Sequence, residues 1–238
     1  VTPAVAGDTA LQSDVLEDLS SAVNYRRWIV DLTRPYLDGR VLEIGSGNGD
    51  YAEEWADRGV AITASEADAS RLAVLKDRFD GDGRVDVREL LAPITGTNDY
   101  DAVVALNVME HIDDDVEAMR SFARQVRPGG LVVLFVPAFP IGMSRFDREI
   151  GHFRRYRKKT LRGALVGAGL DVEVLRHVNA LGLFAWIVMM RLLRQRPKAG
   201  PLLRLWDGLM IRIIRLIESR VEPPLGQSLL AVARTRSG

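Results

Sequence analysis

A chain of 238 residues, 47% hydrophobic and 27% charged, has the material for one α/β domain with a sizeable core and is short for two. The absence of cysteine excludes disulfides, thiolate zinc sites and cysteine nucleophiles. Charge balances at 32 basic and 32 acidic residues, but unevenly: residues 1–144 carry 13 against 25, whereas Arg145 to Arg220 carry 17 against 6. The bland reading of the basic half is solvated helix faces; the functional one is an anionic acceptor or an acidic membrane surface. Val1 to Leu19 is acidic and has no basic segment leading into an apolar run, so no secretory signal is read there and the cytoplasm is the expected location.

In chain order, Leu11 to Leu37 has apolar residues near helical spacing and stops at the Asp38-Gly39 turn signal. Arg40 to Ile44 is a short β-type run, Tyr51 to Arg58 a helix, Val60 to Ala64 a second strand, Ser70 to Phe79 a second helix, and Val85 to Val87 a weaker third strand. Tyr100 to Leu106 makes a fourth strand, Asp114 to Val126 a helix, and Leu131 to Val136 a fifth strand after the Pro128-Gly129-Gly130 turn. Lys159 to Ala168 reads as helix, Leu170 to Arg176 as a sixth strand and Ser228 to Arg234 as a last one. This alternation predicts an α/β fold, a mostly parallel doubly wound sheet with helices on both faces. Between the last two strands lies an insertion of roughly forty residues, too many for a simple connection, so helical structure is expected there. The expected organisation is a single domain: a helical cap over 1–38, a cofactor-binding core over 39–179, the insertion over 180–224 and the last strand within 225–238.

Val41 to Gly49 is a strand running into three alternating glycines ahead of a helix. Such a loop turns with positive φ, leaves space for a ligand against the backbone and offers free N–H groups at the helix start. Glu66 follows Gly45 by about twenty residues, at the end of the second strand, where a carboxylate can accept both hydroxyls of a ribose. The dinucleotide fingerprint wants a third glycine five positions after the first, and Asp50 stands there. Acidic Glu43 and Asp50 suit a ligand bearing an ammonium and no phosphate better than a pyrophosphate.

The segment Glu43 to Gly49 resembles motif I of the class I, Rossmann-like, S-adenosylmethionine-dependent methyltransferases. Ala64-Ser65-Glu66 resembles their acidic ribose-binding turn, Asp101 to Ile112 their fourth-strand segment, and Val126 to Leu131 the turn before their fifth strand. The resemblance implies a seven-stranded sheet whose last strand is antiparallel. It implies S-adenosylmethionine as cofactor and S-adenosylhomocysteine as product, with Glu43, Gly45, Ser46, Gly47, Gly49, Glu66 and Ala67 in the cofactor site. It also implies Asn107 and Val108 at the methionyl end and Leu90 and Leu91 near the adenine. Relatives often place Asp or Asn after the third strand, and this chain has Arg88-Glu89-Leu90-Leu91. Tyr25 and Trp28 lie in a segment similar to one that closes over the cofactor in some such enzymes, or they form an aromatic face packed on the sheet.

Methyl transfer from a sulfonium needs alignment of the acceptor and removal of its proton, not an enzyme nucleophile. Acceptor groups are expected from loops at the C-terminal ends of the strands. His111 is placed on the cofactor side, with Asp113 to Asp115 as a helix cap. In the loop from Phe139 to Tyr156, His152 is the expected general base, oriented by Asp147, and Phe139, Phe146, Arg154 and Tyr156 are expected at the acceptor. The alternative there is solvated arginines at 154, 155 and 157 and a histidine that merely packs. No metal is expected, since no carboxylate and histidine cluster is spaced for a tight site, a weak magnesium site at Asp147 being the alternative.

The insertion allows three roles: cover for the acceptor pocket, a homodimer interface through Phe184, Trp186, Ile187 and Trp206, or peripheral membrane contact with Arg204, Arg212 and Arg215 towards headgroups. The expected function is methylation of a small molecule, at oxygen. The alternatives are C- or N-methylation of a small molecule or peptide, an NAD-dependent oxidoreductase, and a cofactor-binding subunit without catalysis. The lack of a continuous basic stripe and of an Asn-Pro-Pro-Tyr-like run at Asn107 speaks against nucleic acid.

Overall fold

The computed structural model describes residues 7–97, 100–189 and 200–236. Seven strands form one sheet: β1 (Arg40–Ile44), β2 (Ala61–Glu66), β3 (Val85–Glu89), β4 (Tyr100–Leu106), β5 (Val126–Pro137), β6 (Leu170–Val178) and β7 (Ser228–Thr235), in spatial order β3-β2-β1-β4-β5-β7-β6. β1 to β5 pair in parallel, and β7 runs antiparallel between β5 and β6. The doubly wound sheet with an antiparallel last strand is therefore present. Its central strands are apolar on both faces, Val41 and Val104 facing one core and Leu42, Val103 and Val132 the other, because helices cover both sides.

Around the sheet lie α1 (Thr9–Ser20), α2 (Val23–Thr33), α3 (Asp50–Ala56), α4 (Ala69–Arg78), α5 (Asp115–Gln125), α6 (Arg145–Glu149), α7 (Lys158–Gly167), α8 (Ala180–Ile187), α9 (Pro201–Leu205) and α10 (Ile211–Glu218). Asp114 caps α5 by accepting from the Glu117 N–H at 2.9 Å. The expected single helix over Leu11 to Leu37 is instead two, broken at Ser21-Ala22. The start of α2 is fixed by a residue far along the chain: the buried Asp207 carboxylate accepts from the backbone N–H groups of Asn24 and Tyr25, each at 2.8 Å, and from the Asn24 amide at 2.9 Å. A cap borrowed from another segment satisfies the free N–H groups of a helix start as a local one does.

The insertion carries structure, as expected. α9 and α10 are joined by a π-turn over Trp206–Met210, and Ile211 and Ile214 are buried in the core with α2. Arg215 is paired with Asp31 of α2 at 2.6 Å. The opposite face shows Leu202, Leu205, Leu209, Leu216 and Ile217 to solvent. Among the described residues no helix is long and apolar enough to cross a membrane.

Candidate active site

The order of strands around β1 reverses between β1 and β4, so the loops after these two neighbours open a crevice at the C-terminal edge of the sheet. The loop after β1 lines one side. Gly45, Gly47 and Gly49 have φ of 70°, 56° and 86°, which side chains rarely adopt. A Cβ on Gly45 would lie 2.7 Å from Val108 Cγ2 across the crevice, and one on Gly47 3.0 Å from Leu16 Cδ1 of α1. Gly49 differs. Its Cβ would strike Phe79 and Leu75 of α4 at 2.6 and 2.8 Å, so the absence of a side chain there serves core packing at the start of α3.

Ser46 ties this loop to β2, its N–H donating to the Ser65 carbonyl at 2.8 Å and its Oγ accepting from the Ser65 N–H at 3.0 Å. Glu66 at the end of β2 is buried; Oε2 accepts from the Gly47 N–H at 3.0 Å, and Oε1 from the N–H groups of Ala67 and Asp68 at 2.9 Å. Arg71 of α4 pairs with Oε1 at 3.3 Å and reaches on to Gln12 of α1. The carboxylate is thus fixed before any ligand arrives. Glu43, 2% exposed, has one carboxylate oxygen without a partner, and burial, with Glu66 and Asp50 nearby, pushes it up to about 7 against the lowering bond from Ser46. Asp50, by contrast, is neutralised by Arg78 at 2.9 Å, so what argues here against a pyrophosphate is Glu43.

On the far side of the crevice, Asn107 holds φ 53° after β4 and its N–H donates to the Phe135 carbonyl at 2.7 Å, which sets the backbone facing the glycines. Leu90 follows β3, its N–H donating to the Glu66 carbonyl at 3.3 Å, and Leu91 is half-buried beside it. Trp28 is buried in the core, and Tyr25 packs against it edge-on with centroids 6.2 Å apart.

The loop after β5 is closed at its base, where Phe139 N–H donates to the Tyr156 carbonyl and Tyr156 N–H to the Pro137 carbonyl. Within it, Ser144 and Asp147 form a reciprocal cap of the short α6. Asp147 is fully buried and accepts from Ser144, from Arg155 Nη2 at 2.6 Å and from His152 Nδ1 at 3.0 Å. Burial raises its carboxyl, but the bonds from His152, Arg155 and Ser144 outweigh that and hold it well below the usual carboxylate range. Asp147 and His152 are therefore brought together, as base and orienting acid would be.

Other residues of this loop make contacts that hold its shape. Arg155, which the alternative reading of this loop put in solvent, is buried, paired with Asp147 and stacked over Trp186 of α8 at 4.8 Å. Arg154 is tied to Asp115 at 2.9 Å, and buried Tyr156 donates to the same carboxylate at 2.8 Å, so both anchor the loop to α5. Phe146 is buried near Trp186, and Phe139 stacks on His177 at 5.0 Å.

The fold also assembles a cluster that spacing along the chain does not reveal. Phe153 N–H donates to the Glu110 carbonyl, laying the loop against the turn Met109–His111. Glu110, His111 and His152 then each offer one ligand atom within 4.8 Å of the others. Burial pushes Glu110 up to about 7, and burial, His152 and Arg71 push His111 down to about 3.

A buried acid with one free oxygen, a backbone cradle without side chains and a fixed carboxylate one strand away fit the ammonium, the methionyl backbone and the ribose of S-adenosylmethionine. The fold and this crevice define a class I methyltransferase. A family model described as a methyltransferase domain matches residues 18–175, and the chain belongs to that family of S-adenosylmethionine-dependent enzymes. Among curated proteins it is 32% identical over 99 residues to a ubiquinone biosynthesis O-methyltransferase of Pseudomonas aeruginosa (strain LESB58). That match covers 40% of this chain and 43% of the relative, so the chain spans less than half the length of the curated protein it matches. Among solved structures, the [4+2]-cyclase SpnF superposes with a TM-score of 0.63 at 19% identity, over 99% of this chain and 98% of that one. A geranyl diphosphate methyltransferase in complex with GPP and sinefungin gives 0.60 at 15% identity, over 86% and 77%. At such identities these two show the fold alone.

Proposed function

We propose that the protein methylates a hydroxyl oxygen of a small molecule, with His152 taking the proton. The observation that carries this reading is the Asp147–His152 pair: with Nδ1 bound to Asp147 at 3.0 Å, the other ring nitrogen, Nε2, is left to accept. When bound, the cofactor supplies a methyl group already activated on a sulfonium. Glu43 would face its ammonium, Glu66 its ribose hydroxyls, and the backbone from Gly45 to Gly47 its chain. The loop from Phe139 to Tyr156, tied down through Arg154, Arg155 and Tyr156, holds the acceptor in line. His152 Nε2 would take the proton that the acceptor hydroxyl loses as it gains the methyl group. The similarity to enzymes named ubiquinone biosynthesis O-methyltransferases supports oxygen as the acceptor atom, and a fold shared with a protein named a cyclase makes the site, not the fold, the ground for the reading.

The test is a methyl-transfer assay over a panel of phenols and catechols, with products identified by mass spectrometry. Methyl ethers should form, and His152→Gln should lower kcat by roughly 10²- to 10⁴-fold while leaving S-adenosylhomocysteine affinity within about twofold. Methyl groups found on nitrogen or carbon would overturn the assignment to oxygen. An undiminished rate in His152→Gln would overturn the role of the histidine.

A further inference from the structure

Glu110 sits on the turn after β4, fully buried, and neither of its carboxylate oxygens has a hydrogen-bond partner. A buried carboxylate left in that state is costly, and native interiors rarely keep one without a counterpart. His111, the next residue, has its Nδ1 buried and unpartnered, while hydrogen bonds to the backbone of Ile150 and Gly151 act on its ring. His152 binds Asp147 through Nδ1, which directs the lone pair of Nε2 to within 3.9 Å of Glu110 Oε1. The two imidazoles meet edge to face with centroids 4.6 Å apart. Three donors therefore converge on one point, and each histidine is steadied from behind, His152 by a carboxylate and His111 by loop carbonyls, the usual second layer of a metal site.

We propose that Glu110, His111 and His152 bind one divalent first-row transition-metal ion. Two imidazoles and a carboxylate suit zinc, cobalt, manganese or iron, whereas magnesium and calcium favour all-oxygen sets. Donors around a tetrahedral ion stand about 3.3 Å apart, so the Glu110–His152 pair at 3.9 Å has to close by about 0.6 Å, and a pair at the 4.8 Å limit of the cluster by about 1.5 Å. Three protein ligands leave coordination positions open towards the acceptor loop. What those positions serve rests on the methyl-transfer reading: an acceptor hydroxyl bound there loses its proton to solvent through the ion's charge. In the loaded protein His152 is then a ligand, and its role as base belongs to the metal-free protein.

The chelator-stripped protein should be titrated with Co²⁺, followed by visible absorption and by equilibrium dialysis, with S-adenosylhomocysteine calorimetry on the same samples as the control for folding. One equivalent should bind with a d–d spectrum of nitrogen and oxygen ligation. Glu110→Gln and His111→Gln should each weaken it by about 100-fold, Asp147→Asn by about 10- to 100-fold, and millimolar Mg²⁺ should not compete. A rise in the Tm of the wild-type protein with Zn²⁺ is expected even if a variant fails to fold. Cobalt uptake that does not saturate, no zinc-dependent rise in Tm, or uptake equal in wild type and Glu110→Gln overturns the site. Full O-methylation by stripped protein that takes up no metal defeats the ion and keeps the methyltransferase reading. Uptake of metal with no hydroxyl methylated does the reverse.

Discussion

Glu43→Gln isolates the cost of keeping an acid ready for a cation. Glu43 is 2% exposed, and its carboxyl stands at about 7 in the folded chain against an ordinary 4.5. The folded state holds this proton more tightly than the unfolded one, so the acid weakens the fold as pH rises from 4.5 and the loss levels off above about 7. Over about 2.5 pH units the loss comes to about 3 kcal/mol, at 1.36 kcal/mol per unit. For a domain of this size that is about 6–12 °C in Tm. Glutamine does not titrate, so the drop in Tm between pH 5 and pH 8 should be smaller in Glu43→Gln by that amount. The comparison is a pair of thermal melts at each pH, in which any penalty of the amide itself cancels. Calorimetry completes it: S-adenosylmethionine should bind the wild type up to about tenfold more weakly per pH unit below 7, and the variant more weakly still with little pH dependence. An equal drop in Tm for both proteins would refute the buried, half-satisfied state of Glu43.

Two further substitutions test packing. Gly49→Ala forces a left-handed residue into Phe79 and Leu75 and should cost about 2–4 kcal/mol in chemical denaturation. Gly45→Ala should instead reduce cofactor affinity by calorimetry, since its Cβ intrudes on the crevice at Val108. Asp207→Ala uncaps α2 and should cost about 1–2 kcal/mol in urea unfolding, with protection of the Asn24 and Tyr25 amides lost in hydrogen exchange.

Much of the core was legible because its signals are local. Val41 to Gly49 announces strand, turn and helix within nine residues, and the strands at Tyr100 and Ser228 lie where apolar runs put them. What escaped depends on distant partners. Nothing between Leu11 and Leu37 marks the break at Ser21-Ala22, because the cap that fixes it comes from Asp207. Arg155 reads as one more exposed arginine in a basic run until Asp147 and Trp186 are seen to enclose it. Glu110 and His111 look like the ordinary continuation of a strand-end motif, and only the loop folding back from β5 sets His152 beside them. Gly49 belongs to the glycine pattern by spacing and to the core by contact, a distinction that requires the positions of Phe79 and Leu75.

The place of β7 has a consequence for how the molecule is made. Among the described residues β6 pairs only with β7, and β7 with β5, so the sheet is joined across a strand that leaves the ribosome after everything it connects. Until residues 228–235 emerge, β6 has no neighbour in the sheet and β5 presents a bare, apolar edge, the kind of surface that pairs with the wrong chain. Completion of the sheet is thus deferred until β7 has emerged, and a chain stopped a few codons before Ser228 would lack the strand that joins β5 to β6 and be prone to aggregate.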